Sequence, residues 1–399
     1  MGSSIFSLKL STVKKLAVIT FLSNLYFYNH VGTLYQQMRG LDLLQVSSIW
    51  SIIVGTIVLA EVPTGILADK IGRKWSVSIA LLLQAIGEFW YFFATGYLSF
   101  VFIAILAGIG FAFLSGANEA LLYDSLTGKD KTKQMAKASG FIGSAYHLAF
   151  FLAPIAGGLI VSQLTLSKFL LAILLTAVSV TLAFIFSLTI KEPVKSYRHK
   201  EQSPLEILKA GLKQLNNSQL KRMLLFGIFA STYGNTLFNF FQPYFVENQL
   251  SAQTIALALA GGNLLAVYVQ KNAYRLEEKL GLRIALLISS LASGGFYLLL
   301  ASLRLYALVP VFILANATID MRSPLISSYQ NSLISSQNRA TTLSLINMLN
   351  RFYEAGIGLL WGYLATNSIG NTFYAMGILI ILGTIVFLPK KFPAVFPAR

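Results

Sequence analysis

The stretch Gly65-Ile-Leu-Ala-Asp69-Lys-Ile-Gly72-Arg73-Lys74 is a short polar connection between two apolar runs, at about 46–68 and 75–95. Gly65 permits close helix packing, and Gly72 allows a tight turn in a very short loop. Asp69 can pair with a cation or cap a neighbouring helix N-terminus, while Arg73 and Lys74 would sit among lipid headgroups. Each flanking run can cross the roughly 30 Å hydrocarbon core, which takes about 20 apolar residues in a helix. The stretch therefore reads as a cytoplasmic loop joining two membrane spans.

Working outward, the chain offers ten more such runs. All twelve lie near 14–36, 46–68, 75–95, 98–123, 137–163, 166–190, 222–246, 252–272, 283–302, 304–331, 339–366 and 370–388. The composition agrees: of 399 residues 55% are hydrophobic and only 12% charged, with a mean hydropathy of +0.67. A soluble domain carries about a quarter charged residues. This excludes a soluble enzyme and a disordered or nucleic-acid-binding chain, despite the net charge of +16. The cations lie between the apolar runs. Of the 31 Lys and Arg, only Arg39, Lys168 and Arg304 fall on one side and Arg322 and Arg351 within helices. The rest share the side of Lys70, Arg73 and Lys74, which places both termini in the cytoplasm. With no cysteine, neither a disulfide nor thiolate chemistry is open to the chain, a composition compatible with a bacterial inner membrane. Lys14 and Lys15 precede a run too long and aromatic for a signal peptide. Phe6 stands where myristoylation requires Ser or Thr.

The chain divides into an N-terminal six-helix unit (1–190), a cytoplasmic linker (191–221) and a C-terminal six-helix unit (222–399). In the linker, Ser203-Pro204-Leu205-Glu206 carries an N-cap, a first-turn proline and a capping-box glutamate. Leu205, Leu208, Leu212 and Leu215 then share one face, as in a helix lying on anionic lipid or a solvated linker helix. The units repeat each other. Tyr35 and Tyr244, Leu41 and Leu250, and Gly72 and Gly281 are each 209 residues apart. Asp124-Ser125-Leu126 matches Asn331-Ser332-Leu333 two residues out of step. Several matches at one offset indicate a duplicated unit.

With its twelve runs, its repeat and the 65–74 loop, the sequence resembles the major facilitator superfamily of secondary transporters over essentially its whole length. The loop is similar to that family's Gly-x-Leu-Ala-Asp-Arg-x-Gly-Arg-Lys motif, with Lys70 as the first base. The resemblance implies an all-α membrane fold of two six-helix halves related by pseudo-twofold symmetry. It also implies that Gly65, Asp69, Gly72, Arg73 and Lys74 latch the halves in the outward-open state. In the fifth span, Ala153-Pro154-Ile-Ala-Gly157-Gly158 is similar to the antiporter signature Gly-Pro-x-x-Gly-Gly, associated with export. Ala104 stands where drug–proton antiporters carry an arginine, so proton coupling would use other residues.

A charge inside a span costs about 2.5–3.5 kcal/mol at the helix centre and calls for a local reason. Glu119, in Ser115-Gly116-Ala117-Asn118-Glu119-Ala120 of the fourth span, is the leading proton-coupling candidate, followed by Asp124, Glu61 and Glu88. Each also has a structural reading: a helix-end charge for Asp124, a brace for the loop for Glu61, a hydrogen bond to a neighbouring helix for Glu88. Arg351 and Glu354, at i and i+3, either neutralise each other or contact substrate. Tyr26, His30, His147, Asn235, Asn239, Gln242, Arg351 and Glu354 form the expected substrate cavity, offering aromatic faces and a few directional polar groups. His30 and His147 lack a second ligand at i+4, so no metal site and no cofactor are expected. There is no nucleophile–base–acid set, so the chain is not expected to be an enzyme.

The function expected is secondary transport of a small amphipathic solute by alternating access, as proton-coupled efflux in a monomer of the bacterial inner membrane. Its partners would be the solute, protons and the lipid bilayer, without nucleic acid. A proton-driven nutrient importer and a lysolipid flippase of the same fold are the alternatives.

Overall fold

The computed structural model describes residues 11–115, 117–126, 130–192, 218–231, 233–334 and 339–389. The linker helix expected at 203–215 lies outside them, as do the N-terminal residues read for acylation. Among the described residues every regular element is helical. Among the described residues nine helical stretches, Gly96–Ser125 taken as one, are long and apolar enough to cross a membrane.

In the first half these elements are α1 (Thr12–Ser23), a 3-10 turn at Asn29–Val31, α2 (Gly32–Met38), α3 (Leu43–Ile71), α4 (Arg73–Phe93), α5 (Gly96–Leu114), α6 (Ala117–Ser125), α7 (Lys131–Ile160) and α8 (Leu166–Ser187). The second half has α9 (Ser218–Ser231), α10 (Gly234–Glu247), α11 (Ala252–Leu280), α12 (Leu282–Ser302), α13 (Leu308–Leu333), α14 (Arg339–Asn367) and α15 (Ile369–Phe387). The 209-residue offset fixes element boundaries as well as residues: α3 and α11 coincide at both ends, as do α4 and α12. Asp42 and Ser251, one offset apart, each cap a helix by accepting the backbone N–H three residues on, from Gln45 at 2.7 Å and Thr254 at 3.2 Å. The positive-φ residues pair in the same way: Gly40 with Gln249, Gly72 with Gly281, Gly96 with Leu305.

Three predicted spans differ from continuous apolar helices. The first breaks after Ser23 and the seventh after Ser231, and the fourth splits into α5 and α6 at Ser115. Neighbouring helices satisfy the backbone groups so freed, as they must where water is absent. The Phe27 N–H donates to Thr176 Oγ1 at 3.1 Å, and the Ala230 carbonyl accepts from Arg322 Nη1. The Ser115-Gly116 pair is a common site of helix interruption. The eleventh span, α14, is unbroken but carries Asn350, Arg351 and Glu354 along its length.

At one end of the bundle each half is tied by a tyrosine. Tyr35 donates to the Tyr91 carbonyl at 2.9 Å and accepts from Arg39 Nε at 3.0 Å. Tyr244 donates to the Leu300 carbonyl at 3.0 Å and accepts from Arg304 Nη1 at 2.7 Å. Around them pack Tyr91, Phe100 and Phe169 in one half and Tyr297, Phe312 and Phe373 in the other.

Candidate functional site

The polar residues singled out by sequence gather into four groups. The first is the 65–74 loop. Gly72 ends α3 at φ 102° and ψ 160°, a conformation essentially reserved for glycine. The Glu192 carboxylate, just beyond α8, accepts the N–H groups of Arg73 at 2.8 Å and Lys74 at 2.9 Å. It thereby covers the start of α4, where the helix dipole favours an anion. A Cβ on Gly72 would stand 2.7 Å from the Glu192 carboxyl carbon, so the close approach also requires glycine. Arg73 forms a salt bridge with Asp124 at 2.5 Å, and Lys74 lies over the Trp75 ring. Gly65 is half-buried in α3 and Asp69 is exposed. Asp124 thus belongs to the loop. Glu192 carried no sequence signal, since its partner lies 119 residues away.

The second group surrounds Glu88 on α4, which is buried. The Tyr28 hydroxyl donates to its carboxylate, at 2.9 Å to Oε2 and 3.2 Å to Oε1. Gln84 Nε2 donates to the Tyr26 hydroxyl at 2.7 Å. The Tyr26 ring meets Tyr28 edge-on, and Tyr28 stacks on Tyr91. Among the described residues the one side-chain ion pair is Arg73–Asp124, so Glu88 is held by phenols rather than a cation. Glu119 and Glu61 stand apart from it and are exposed. Glu119 lies in the first turn of α6, beyond the interruption of the fourth span. Glu61 accepts a long hydrogen bond from Ser115 Oγ at 3.4 Å.

The third group is in the second half. Asn235 Nδ2 donates to Glu354 Oε1, with the exposed Arg351 one turn earlier within electrostatic reach of Glu354. Tyr233 and Tyr353 share a hydroxyl contact at 3.1 Å, and Tyr297 donates to the Tyr233 carbonyl at 3.1 Å. Beside them Arg322, one of the two cations that the sequence places within helices, is 1% exposed. Asp320, two residues earlier, is half-buried and within electrostatic reach of Arg322 and of His147 in the other half. His147 packs against Tyr146, and Asn239 is half-buried.

The fourth group joins the halves at the end of the bundle that carries the two tyrosine ties. Gln242 Oε1 accepts the Thr33 N–H at 2.8 Å, and its Nε2 donates to the Asn29 carbonyl at 3.1 Å. Ser51 Oγ donates to the Ala355 carbonyl at 2.7 Å, and Asn263 Nδ2 to the Phe150 carbonyl at 3.0 Å. Glycines set these approaches. A Cβ on Gly157, one turn past Pro154 in α7, would fall 1.8 Å from the Phe27 carbonyl oxygen and 2.8 Å from His30 Cε1. On Gly158 it would meet Ala256 of α11 at 2.5 Å, and on Gly362 it would meet Ser47 at 2.7 Å. The antiporter-like Pro154, Gly157 and Gly158 therefore sit at a closed seam, with Gly157 against α1's broken continuation and Gly158 against the other half. His30 is fully buried there and neither ring nitrogen has a partner.

The chain as a whole is similar to known proteins. The profile of the Major Facilitator Superfamily matches residues 16–225. The chain is 25% identical over 383 residues to an uncharacterised MFS-type transporter, YxaM, of Bacillus subtilis (strain 168), covering 91% of this chain and 92% of that one. It is 24% identical over 344 residues to Multidrug resistance protein 2 of the same organism, covering 81% of each. The fold is similar to that of the nucleoside transporter NupG, with a TM-score of 0.75 at 15% identity over 95% of this chain and 98% of that one. It is also similar to a bacterial homologue of the human lysosomal transporter Spinster in an inward-facing, occupied conformation, with a TM-score of 0.75 at 13% identity over 97% of each chain.

Proposed function

The chain belongs to the Major Facilitator Superfamily and is a multi-pass membrane transporter of small solutes; from that premise we propose that it couples export of an amphipathic solute to proton entry through Glu88. The observation that carries this reading is the carboxyl of Glu88, enclosed by Tyr26, Tyr28 and Gln84 without a cation. Burying an unpaired charge is costly, and the tyrosine hydroxyls can serve either the carboxylate or the acid. A group so placed can exchange a proton when its surroundings open and close. Tyr28 belongs to the interrupted segment between α1 and α2, so movement of that segment would change the company Glu88 keeps. Of the other carboxylates, Asp124 is committed to Arg73, while Glu119 and Glu61 are exposed.

The basic face, with the 65–74 loop, lies in the cytoplasm of a bacterial cell. The end sealed by Gln242 is then the outer one, and the protein works as a monomer of two six-helix units joined by residues 191–221. The solute sits between Asn235, Glu354 and Arg351 on one side and His147 and Asp320 on the other, and binding biases the halves' rocking. Export is favoured by the Pro154–Gly158 stretch at the seam and by the multidrug relative. Import of an organic anion is the second reading, supported by the exposed guanidinium of Arg351.

Purified protein in liposomes holding a pH dye tests the proposal. Amphipathic cations, sugars and organic acids are added in turn under an imposed proton gradient. Solute-dependent proton flux should appear in the wild type, vanish in Glu88→Gln and persist in Glu119→Gln. Unaltered coupled flux in Glu88→Gln would remove Glu88 from the mechanism.

A further inference from the structure

We propose that Gln242 is the latch of the outer seal and that His30 is built into the same seal as its counterweight, an inference that rests on the transporter reading above. Gln242 is fully buried. Its single amide engages one donor and one acceptor of the other half: the Thr33 N–H at 2.8 Å and the Asn29 carbonyl at 3.1 Å. Thr33 is the second residue of α2, where the backbone N–H has no partner within its own helix. The side chain of α10 therefore supplies what the interruption of the first span left unsatisfied. Side-chain-to-backbone bonds of this kind tolerate no sliding: if α10 moves away from the 29–33 segment, both bonds are lost together.

Between the two anchoring residues lies His30. It is 0% exposed, both ring nitrogens lack a partner, and it is pressed against Gly157. A buried imidazole left unsatisfied disfavours the state that buries it. Gln242 holds the seam shut while His30 favours its opening, and both act on one short, irregular segment. That segment is the outer gate, and the two residues are positioning residues that set its balance.

The chain has no cysteine, so spin labels can be placed without removing any. Ser162→Cys and Asn367→Cys, both at exposed positions at the sealed end and in different halves, report the separation by pulsed electron spin resonance. The full chain is placed in nanodiscs of phosphatidylethanolamine and phosphatidylglycerol. Gln242→Met, close in size but without hydrogen bonds, should raise the ratio of separated to sealed populations roughly tenfold. His30→Leu should lower it several-fold. Ser76→Ala removes a buried hydrogen bond inside one half, to the Phe113 carbonyl at 2.8 Å, and should leave the ratio unchanged. The proposal is overturned if folded Gln242→Met keeps the wild-type ratio, or if His30→Leu raises it. Should Gln242→Met not fold, the sign of the His30→Leu shift decides alone. A single, fixed distance in every variant, at acid and at alkaline pH, would overturn the transporter reading as well. A wild type that interconverts while Gln242→Met is silent would overturn only the latch.

Discussion

The two halves share a skeleton and differ in chemistry. Tyr35 and Tyr244 make matching ties, and α3 and α4 end at the same offset as α11 and α12. Yet the position that carries Glu88 in α4 carries Tyr297 in α12. Glu88 meets a phenol at the break in the first span, whereas Tyr297 ties down the Tyr233 carbonyl at the break in the seventh. The paired loops differ too. Gly72 is clasped by Glu192, while a Cβ on Gly281 would meet nothing within 4 Å. Duplication preserved what the fold needs from each half, namely caps, turns and end ties, and released the interior to diverge. The residues most worth testing are those where the repeat fails.

The largest contrast should separate Glu88 from Tyr297. Glu88→Gln is expected to abolish solute-driven proton flux, whereas Tyr297→Phe should keep it and lose about 1 kcal/mol of stability with one hydrogen bond. Flux in proteoliposomes and thermal unfolding in detergent read the two effects; loss of coupling in both variants would end the asymmetry. Next come the loop glycines. Gly72 and Gly281 share a backbone conformation that costs other residues about 1–3 kcal/mol. Gly281→Ala should pay that cost alone. Gly72→Ala should also displace Glu192, and unfold at a lower temperature by the equivalent of about 1 kcal/mol more. Equal midpoints would mean that Glu192 contributes nothing. A smaller effect is expected of Asp124→Asn, which leaves Arg73 unpaired at a half-exposed site; it should cost about 0.5–1 kcal/mol and less in high salt. The smallest effect has the opposite sign. The second half holds Gln249 at φ 63° and Leu305 at φ 55° where the first half has glycines. Leu305→Gly should relieve roughly 1 kcal/mol of backbone strain, partly offset by the freedom glycine gains in the unfolded chain. A lowered midpoint would show that Leu305 is held by its side chain.

Features built from neighbouring residues were readable in the sequence, and features built from distant partners were not. The 65–74 loop and the repeat itself are written in local residue types. The break after Ser23 is not, because Asn24-Leu-Tyr-Phe-Tyr28 contains neither proline nor glycine. It persists because Thr176 and Gly157, far along the chain, accommodate the Phe27 N–H and carbonyl. Glu119 looked deep only while the fourth span was read as one helix. The run is apolar on both sides of Ser115, and hydropathy does not register an interruption. Gln242 and Asn235 show the same limit for the site. An amide that locks two halves together and one that faces another polar side chain have identical chemistry, and only the partner tells them apart. Arg322 was visible as an intramembrane charge, but its role became visible only with the carbonyl of Ala230 beside it.

The tyrosine ties also have a consequence for the order of events during synthesis. Each closes a loop of 56 residues, in the first half and again in the second. The Gln242 bonds join residues 209 and 213 apart. As the chain leaves the ribosome, the Tyr35 tie can close long before residue 242 has been made, and units complete early fold first. The first half can thus become rigid before the seam between the halves exists. The seam is completed later still, when Ala355 reaches Ser51 across a separation of 304 residues.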